Sequence, residues 1–378
     1  MPLPNDFFAE FPPVSKADWL ARIAKDLKDK PLESLYWQLD EQIKVDPFGH
    51  ADDFQHPPAP LAGAANGWEI CETVPVGDPA AANAQALEAL AGGAESLHFS
   101  FETMPNSAAF ARLFEGVFPD FIGLHFSGRA VGENPGVFLA LLQSLATQRG
   151  LAPAQLRGSL RYAPADQPGL HDWRYLVDLL DFAAQNLPNF RVISVQTELQ
   201  NELPDQLATM LRNGNLYLEK LAERGVATEK AAAALQFEFE IGKSYFVEIA
   251  KFRAFKLLWL NVLRGWNAPL TYPHMTAQFA PSAYSDDIYS NMIRATTMAM
   301  SAVLGGAARL TVLPYDAGRE ADAKYPQTFG RRIARNVQHL LKMESHLDEV
   351  ADPAAGSFYI EKLTQQLAEA AWQRFKES

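Results

Sequence analysis

The sequence predicts an α/β fold, a (β/α)8 barrel of the TIM type with an N-terminal extended arm and a C-terminal helix. From about residue 66 onwards, short runs of alternating polar and apolar residues are separated by helix-sized segments, which is typical of repeated strand–helix units. Seven such runs can be counted, and their spacing favours a closed barrel over an open sheet. No glycine-rich phosphate loop follows the first run, which argues against a dinucleotide-binding fold.

The composition limits the classes of function. With 378 residues, of which 48% are hydrophobic, the protein is long enough for one barrel-sized domain with extensions. A net charge of -12 argues against nucleic acid and against an anionic membrane surface as partners. Cys71 is the only cysteine, so an intramolecular disulfide is impossible and a reducing cytoplasm is the simplest compartment. The sequence contains no secretory signal and no long uncharged apolar stretch, and we therefore expect a cytoplasmic protein without a membrane anchor.

The first 60 residues are predicted to form an arm that lacks a core of its own. Ser15 and Asp18 predict a capped helix start, and the apolar residues after Asp18 recur at helical spacing on one face. Proline-rich stretches such as His56–Pro60 follow and predict irregular structure. We expect residues 1–60 to wrap around a subunit or to lie on their own barrel, and residues 61–378 to form the barrel domain with its C-terminal helix, Lys362–Lys376.

The individual strands and helices follow from the same patterns. The seven predicted strands are Ser96–Phe101, Phe121–Ser127, Ser159–Tyr162, Val192–Glu198, Leu235–Ile241, Thr271–Phe279 and Arg309–Leu313. An eighth strand is placed near Ser357–Ile360. Predicted helices between or after the strands include Asp172–Gln185, Tyr245–Leu263 and Asp287–Val303. In the second of these, Lys251, Arg253 and Lys256 are predicted to form a solvated or interface side.

The alternation within the strands predicts a polar barrel lumen. One face of each strand is apolar, and the other carries the polar residues His98, His125, Arg161, Gln196, Glu198, Glu238 and Glu240. If helices cover the apolar faces, the polar set points to the barrel axis, where most such barrels place Val, Ile and Leu. A buried Arg161 then requires an acidic partner, for which Glu198 is the first choice and Glu238 the second. Such a cluster could serve acid–base chemistry, but an ion-pair network is the favoured interpretation.

Three segments resemble one enzyme family. They are Asp286–Gly306 (D-D-I-Y-S-N-M-I-R-A-T-T-M-A-M-S-A-V-L-G-G), Glu238–Trp259 (ending V-E-I-A-K-F-R-A-F-K-L-L-W) and Asp352–Leu363 (D-P-A-A-G-S-F-Y-I-E-K-L). These stretches are similar to segments of the acyl-CoA mutases that use adenosylcobalamin, above all the methylmalonyl-CoA mutase family. The resemblance implies a barrel whose lumen, lined in the family by small hydroxyl residues, admits the pantetheine arm of coenzyme A.

The positions that carry the family's chemistry differ in this sequence. Where the family has a tyrosine and a histidine at the end of a strand, this protein has Glu198 and Leu199, and leucine has no hydrogen-bond donor for a thioester carbonyl. A family glutamine falls on Arg161, and another falls on Asp286. The D-x-H-x-x-G motif of the cobalamin-binding domain is absent, so we expect no cobalamin in this protein. The four matching positions are therefore interpreted as degenerate, and no catalytic residue is assigned.

The resemblance implies the small, non-catalytic subunit of a heterodimeric methylmalonyl-CoA mutase. Its partner, the large subunit, would hold adenosylcobalamin and isomerise (R)-methylmalonyl-CoA to succinyl-CoA, and the small subunit alone could form a homodimer. Two alternatives remain open. The protein could be the active substrate barrel of a split mutase whose cobalamin domain is a separate polypeptide, or a stand-alone acyl-CoA binding protein. The eight histidines show no metal-ligand spacing, so no metal site is expected.

Overall fold

The polypeptide begins with a segment that packs against the last helix of the molecule. In the computed structural model, which describes residues 10–61, 66–166, 173–196 and 202–377, this N-terminal segment comprises residues 10–61. It contains helix α1 (Lys16–Leu27) and the antiparallel strands β1 (Trp37–Gln38) and β2 (Lys44–Val45). The capping box that the sequence predicts at Ser15 and Asp18 is present. None of the residues of α1 is buried, so this helix contributes little to the core.

Nine strands then form one continuous parallel sheet. They are β3 (Glu69–Val76), β4 (Ser96–Phe101), β5 (Gly123–Ser127), β6 (Arg157–Leu160), β7 (Asn189–Arg191), β8 (Ile193–Gln196), β9 (Leu235–Ile241), β10 (Met275–Phe279) and β11 (Arg309–Thr311). Their order in the sheet is β7-β6-β5-β4-β3-β11-β10-β9-β8. Since only Val192 separates β7 from β8, these two are one bent strand and the ring closes with eight strand positions. The predicted (β/α)8 barrel is thus confirmed.

Helices cover the outside of this ring. They are α2 (Pro79–Ala91), α3 (Ser107–Leu113), α4 (Arg129–Glu133), α5 (Pro135–Gln148), α6 (Trp173–Asn186), α7 (Leu203–Ala222), α8 (Thr228–Ala234), α9 (Tyr245–Gly265), α10 (Ser290–Gly305), α11 (Gln327–His339) and α12 (Phe358–Lys376). The hydrophobic core lies between these helices and the apolar faces of the strands. Phe237, for example, packs against Trp259 of α9 with ring centroids 4.8 Å apart. Gly214 lets α7 approach this pair, because a Cβ atom there would lie 2.8 Å from the Trp259 ring. Within the described residues, no helix is long and apolar enough to cross a membrane.

The structure confirms the seven predicted strands, with shifts of a few residues at their ends, and corrects the eighth. The segment near Ser357–Ile360 is not a strand, because Ser357 is the cap of α12 and the helix continues to Lys376. The missing strand is β3, at the start of the barrel. Glu72 and Pro75 interrupt the apolar residues of β3, so the sequence pattern of this segment does not indicate a strand. Glu72 is accommodated because Arg331 and Arg335 form ion pairs with its carboxylate.

The prediction that α9 has a solvated cationic side is wrong. Lys251, Arg253 and Lys256 are 1%, 0% and 8% exposed. Arg253 forms ion pairs with Asp352 and with Glu361 of α12, the latter at 2.5 Å. Asp352 also accepts a hydrogen bond from the backbone amide of Leu61 at 2.6 Å. This buried cluster therefore joins α9, the segment before α12 and the end of the N-terminal segment. The predicted division of the protein at residue 60 stays a prediction.

Candidate functional site

The candidate site is the barrel lumen together with the cavity at the carboxyl ends of its strands, where TIM barrels place their functional groups. The polar strand faces point into the lumen, as the alternation predicts, and side chains from opposite strands meet there. Arg309 on β11 donates a hydrogen bond to the hydroxyl of Ser159 on β6 at 3.2 Å. His98 and His125 lie side by side in the register of β4 and β5, and each is 5% exposed. The lumen is therefore filled by polar and charged groups instead of an aliphatic core.

Arg161 and Glu238 form the part of this network that lies nearer the carboxyl ends of the strands. Nε of Arg161 lies 2.9 Å from Oε2 of Glu238, Nη2 contacts the same oxygen, and Nη2 also donates to Oε1 of Gln278 at 3.0 Å. The other carboxylate oxygen of Glu238 accepts hydrogen bonds from the Ser194 hydroxyl at 2.7 Å and from the Gln236 amide at 3.1 Å. The predicted acidic partner of Arg161 is thus Glu238, the second of the two choices.

Burial raises the pKa of the Glu238 carboxyl, but the adjacent Arg161 guanidinium outweighs it and holds that pKa well below its usual range. Burial lowers the pKa of Arg161, and the carboxylates of Glu238 and Glu240 more than offset this effect, so its pKa is raised. Both partners therefore stay ionised across the physiological range, and the pair is a permanent charge–charge contact inside the barrel.

His125, Glu69 and Arg309 form the part of the network that lies nearer the amino ends of the strands, since Glu69 and Arg309 are the first residues of β3 and β11. Nε2 of His125 lies 3.1 Å from Oε2 of Glu69, and its Nδ1 lies 2.8 Å from the Ser159 hydroxyl. Burial raises the pKa of Glu69, but the hydrogen bond with His125 and the charge of Arg309 lower it to about 2. Because an ionised carboxylate only accepts hydrogen bonds, we assign the proton of neutral His125 to Nε2, with Nδ1 accepting from Ser159.

The histidines of the lumen are neutral at physiological pH. Burial and the nearby charge of Arg309 lower the pKa of His125 to about 4, against the opposing effect of Glu69. Burial and the charge of Arg161 lower the pKa of His98 well below its usual value. A protonated imidazole in this lumen would face guanidinium groups in a poorly solvated space, which is why the neutral form is favoured.

Two cavities lie at the ends of the lumen. One of about 340 Å³ lies at the carboxyl ends of β5, β6 and β8, and its lining includes Arg129, Arg161 and Gln196. The other, of about 250 Å³, lies at the amino ends of the strands and is lined in part by Arg191 and His274. Glu238 lies in the middle of β9, in register with Gln196 of β8 and Thr276 of β10. The hydrogen-bonded network of Arg161, Glu238 and their partners therefore lies between the two cavities.

Of the four positions that the resemblance singles out, the structure describes Arg161 and Asp286. Arg161 is in the lumen, whereas Asp286 is fully exposed and pairs with Arg319 at 2.7 Å. Glu198 and Leu199 lie outside the described residues. Their interpretation as degenerate catalytic positions stays a prediction. Within the described part of the protein, no group of three or more His, Cys, Asp or Glu residues could hold a metal ion.

Sequence reasoning missed two charged members of the network, Glu69 and Arg309. Glu69 was overlooked with its strand. Arg309 starts a predicted strand, and its alternation with Leu310 and Thr311 could have placed it on the polar face. No sequence signal shows that these two side chains approach the same histidine.

Comparisons with known proteins show what this protein is similar to. The sequence model of the family described as Methylmalonyl-CoA mutase matches residues 107–378. The methylmalonyl-CoA mutase small subunit of Porphyromonas gingivalis is 33% identical over 97% of this chain and 63% of the relative. The small subunit of Streptomyces virginiae is 29% identical over 99% of this chain and 65% of its own length. The large subunit of the same Streptomyces is 31% identical over 63% of this chain and 34% of its own length. The sequence thus spans a little under two thirds of the length of the small subunits.

The first prediction concerns the ion pair of the lumen. Arg161→Ala should lower the free energy of unfolding by about 3 kcal/mol, because it leaves the carboxylate of Glu238 buried without its cation. Adding Glu238→Gln should recover part of the loss, since the stranded charge is then removed. Chemical denaturation of the single and double variants measures both effects. Arg129→Ala is the control, because Arg129 is exposed and its ion pair with Glu133 at 3.6 Å should contribute less than about 1 kcal/mol. Equal losses of unfolding free energy in Arg161→Ala and Arg129→Ala would contradict the prediction.

The second prediction concerns acid stability. Below pH 6.5 the unfolded protein binds a proton at each histidine, whereas folded His125 does so only near pH 4. The free energy of unfolding should therefore fall as the pH falls from 6.5 to about 4, by about 3 kcal/mol for His125 alone. His98 adds a loss of the same sign. Denaturation curves across this window should show a shallower pH dependence for His125→Gln, and an unchanged one for His56→Gln at an exposed site. If both variants retain the full slope, His125 does not contribute.

Proposed function

The chain belongs to the methylmalonyl-CoA mutase family, and we propose that it serves as the small, non-catalytic subunit of a heterodimeric mutase. The large partner subunit would bind adenosylcobalamin and isomerise (R)-methylmalonyl-CoA to succinyl-CoA. Similarity over nearly the whole sequence to relatives called small subunits supports this role. The similarity of the same sequence to a large subunit supports a partner with a related barrel.

The single observation that carries the non-catalytic assignment is the charged network in the lumen. A pantetheine arm that follows the barrel axis has to pass the level of Arg161 and Glu238, whose side chains are several atoms longer than the serines expected in an open lumen. Opening a passage there would break the contacts of Arg161 with Glu238 and Gln278. Separating the buried carboxylate of Glu238 from its guanidinium partner is strongly unfavourable. The lumen is therefore better suited to hold the barrel rigid than to bind an acyl-CoA.

No described residue is assigned a role in the reaction itself. Adenosylcobalamin would supply the radical chemistry in the large subunit. Leu199, at the position of the family's histidine, has no group that could donate to a thioester carbonyl. His98 and His125 are neutral and buried, and His125 is already bonded to Glu69 and Ser159. The contribution of this subunit would be to bind and stabilise its partner.

The surface of α10 and the N-terminal segment are the proposed contacts with the large subunit. Ile293 on α10 is 76% exposed, and Phe11 and Trp19 in the N-terminal segment are 71% and 45% exposed. Each of these exposed apolar side chains is a candidate for burial at a protein–protein contact. Phe7 and Phe8, which extend the apolar character of the arm, lie outside the described residues.

The third prediction is that the isolated protein neither binds adenosylcobalamin nor forms succinyl-CoA. The absence of the D-x-H-x-x-G motif and the presence of Leu199 are the reasons. Losing a group that meets the reacting centre commonly costs several kcal/mol of barrier, and several such groups are replaced here. A coupled assay with adenosylcobalamin, with and without a separate cobalamin-domain polypeptide, measures the activity. Calorimetry with coenzyme A tests the lumen. Turnover or micromolar binding would contradict the proposal.

The fourth prediction concerns association. When the protein is tagged and expressed with its large subunit, a one-to-one complex should be purified. Ile293→Glu should weaken that complex by at least about tenfold, because a charge would be buried at the contact. Deleting residues 1–30 should also weaken it and leave the melting temperature of the barrel nearly unchanged, since α1 has no buried residue.

Phe121→Glu is the matched control for Ile293→Glu. Phe121 is 74% exposed but precedes β5, at the amino ends of the strands. Surface plasmon resonance with the large subunit would compare the variants. If Phe121→Glu weakens binding and Ile293→Glu does not, the contact is on the other side of the barrel. If deleting residues 1–30 lowers the melting temperature of the barrel and leaves its affinity for the large subunit unchanged, the N-terminal segment stabilises its own barrel instead of contacting the partner.

A further inference from the structure

The protein contains two Asn-Gly sequences in different surroundings. Asn66-Gly67 lies in irregular structure directly before the first barrel strand, and Asn213-Gly214 lies inside helix α7. Asn-Gly is the sequence in which an asparagine side chain is most open to attack by the next backbone nitrogen, because glycine has no Cβ to hinder the approach. The two sites therefore allow the rate of this reaction to be compared for the same dipeptide in two different structural surroundings.

The surroundings of Gly67 leave its backbone nitrogen open. Gly67 is exposed, and a Cβ atom built on it would meet no atom within 4 Å. Among the backbone hydrogen bonds of the described residues outside helices and strands, none has the Gly67 amide as donor. Attack from this nitrogen would thus break no backbone hydrogen bond among the residues that the structure describes.

The side chain of Asn66 links three parts of the molecule. Its Nδ2 donates to the carbonyl oxygen of Val303 near the end of α10 and, at 3.4 Å, to the carbonyl oxygen of Leu347. Both acceptors are carbonyls, so the link depends on an amide that donates hydrogen bonds. A carboxylate at the same position could donate to neither and would repel both oxygens.

We propose that Asn66 is a site of spontaneous deamidation, which breaks the link from the start of the barrel to α10. The Gly67 nitrogen attacks Cγ of Asn66, the bond between Cγ and Nδ2 breaks, and ammonia leaves with the proton that the Gly67 amide gives up. Water then adds to the cyclic imide and opens it to aspartate or isoaspartate. Water is the only co-reactant, and no oxidant or reductant is needed.

Asn213 is the internal control because its surroundings oppose the same reaction. Gly214 is held in the helix and packed, since a Cβ atom there would lie 2.8 Å from the Trp259 ring and 3.1 Å from the Phe237 ring. The backbone rotation that brings the nitrogen to Cγ would require opening α7 against this packing.

The experiment is peptide mapping by mass spectrometry after the full-length protein has been incubated in mildly alkaline buffer. Conversion at Asn66 should be faster than at Asn213 by about tenfold or more, the factor that even a small local opening cost imposes. Gly67→Ala should slow conversion at Asn66 and leave the fold unchanged, since its Cβ has open space. Circular dichroism checks the fold of the variant.

A second measurement tests the structural consequence. Hydrogen exchange at the end of α10 should be faster in Asn66→Asp than in the unmodified protein, because the Val303 carbonyl has lost the hydrogen bond from the Asn66 side chain. Asn66→Gln keeps a donor and should remain closer to the unmodified protein. Equal conversion rates at Asn66 and Asn213, or exchange at the end of α10 that is unchanged in Asn66→Asp, would overturn the proposal.

Discussion

Charges enclosed in the barrel lumen, and the need to neutralise them, are the constraint on which this structure depends. Arg161 and Glu238 neutralise each other at one level, and Glu69 interacts with His125 at another. Glu238, Glu69 and His125 come from three different strands and Arg161 directly follows a fourth, so the network holds the strands in one relative register. An aliphatic core tolerates small shifts, whereas stranding one ion of a buried pair is costly. The barrel therefore gains a specific arrangement of its strands at the level of these pairs.

A second enclosed charge organises the periphery of the barrel. Arg253 is completely buried in α9, and its partners Asp352 and Glu361 belong to the segment before α12 and to α12 itself. Asp352 also holds the backbone at Leu61, and Lys362 on α12 pairs with Asp46 and Asp53 of the N-terminal segment. The last helix is therefore the platform on which the N-terminal segment lies. That arrangement leaves much of α1 exposed, where a partner could contact it.

These two features support one account of this family member. A barrel that is retained as a rigid body, with its lumen occupied by its own side chains, suits a subunit that binds another protein. The relatives called small and large subunits are both similar to this protein, so the proposed partner would carry a related barrel. In that account, the same fold serves chemistry in one subunit and support in the other, because the side chains on the polar strand faces differ.

The sequence by itself determined the strand–helix repetition, seven of the eight strand positions and the polar side of the lumen, because alternation along a strand is a local property. The resemblance also placed the family correctly. Tertiary structure decided what local patterns do not contain. Ser357 caps a helix, Glu72 sits in a strand because Arg331 and Arg335 neutralise it, and Lys251, Arg253 and Lys256 are buried because their partners come from distant segments. Charge pairing across a barrel joins residues far apart in sequence, so Arg161 could be predicted to need an acid, but only the closed ring decided that Glu238 supplies it.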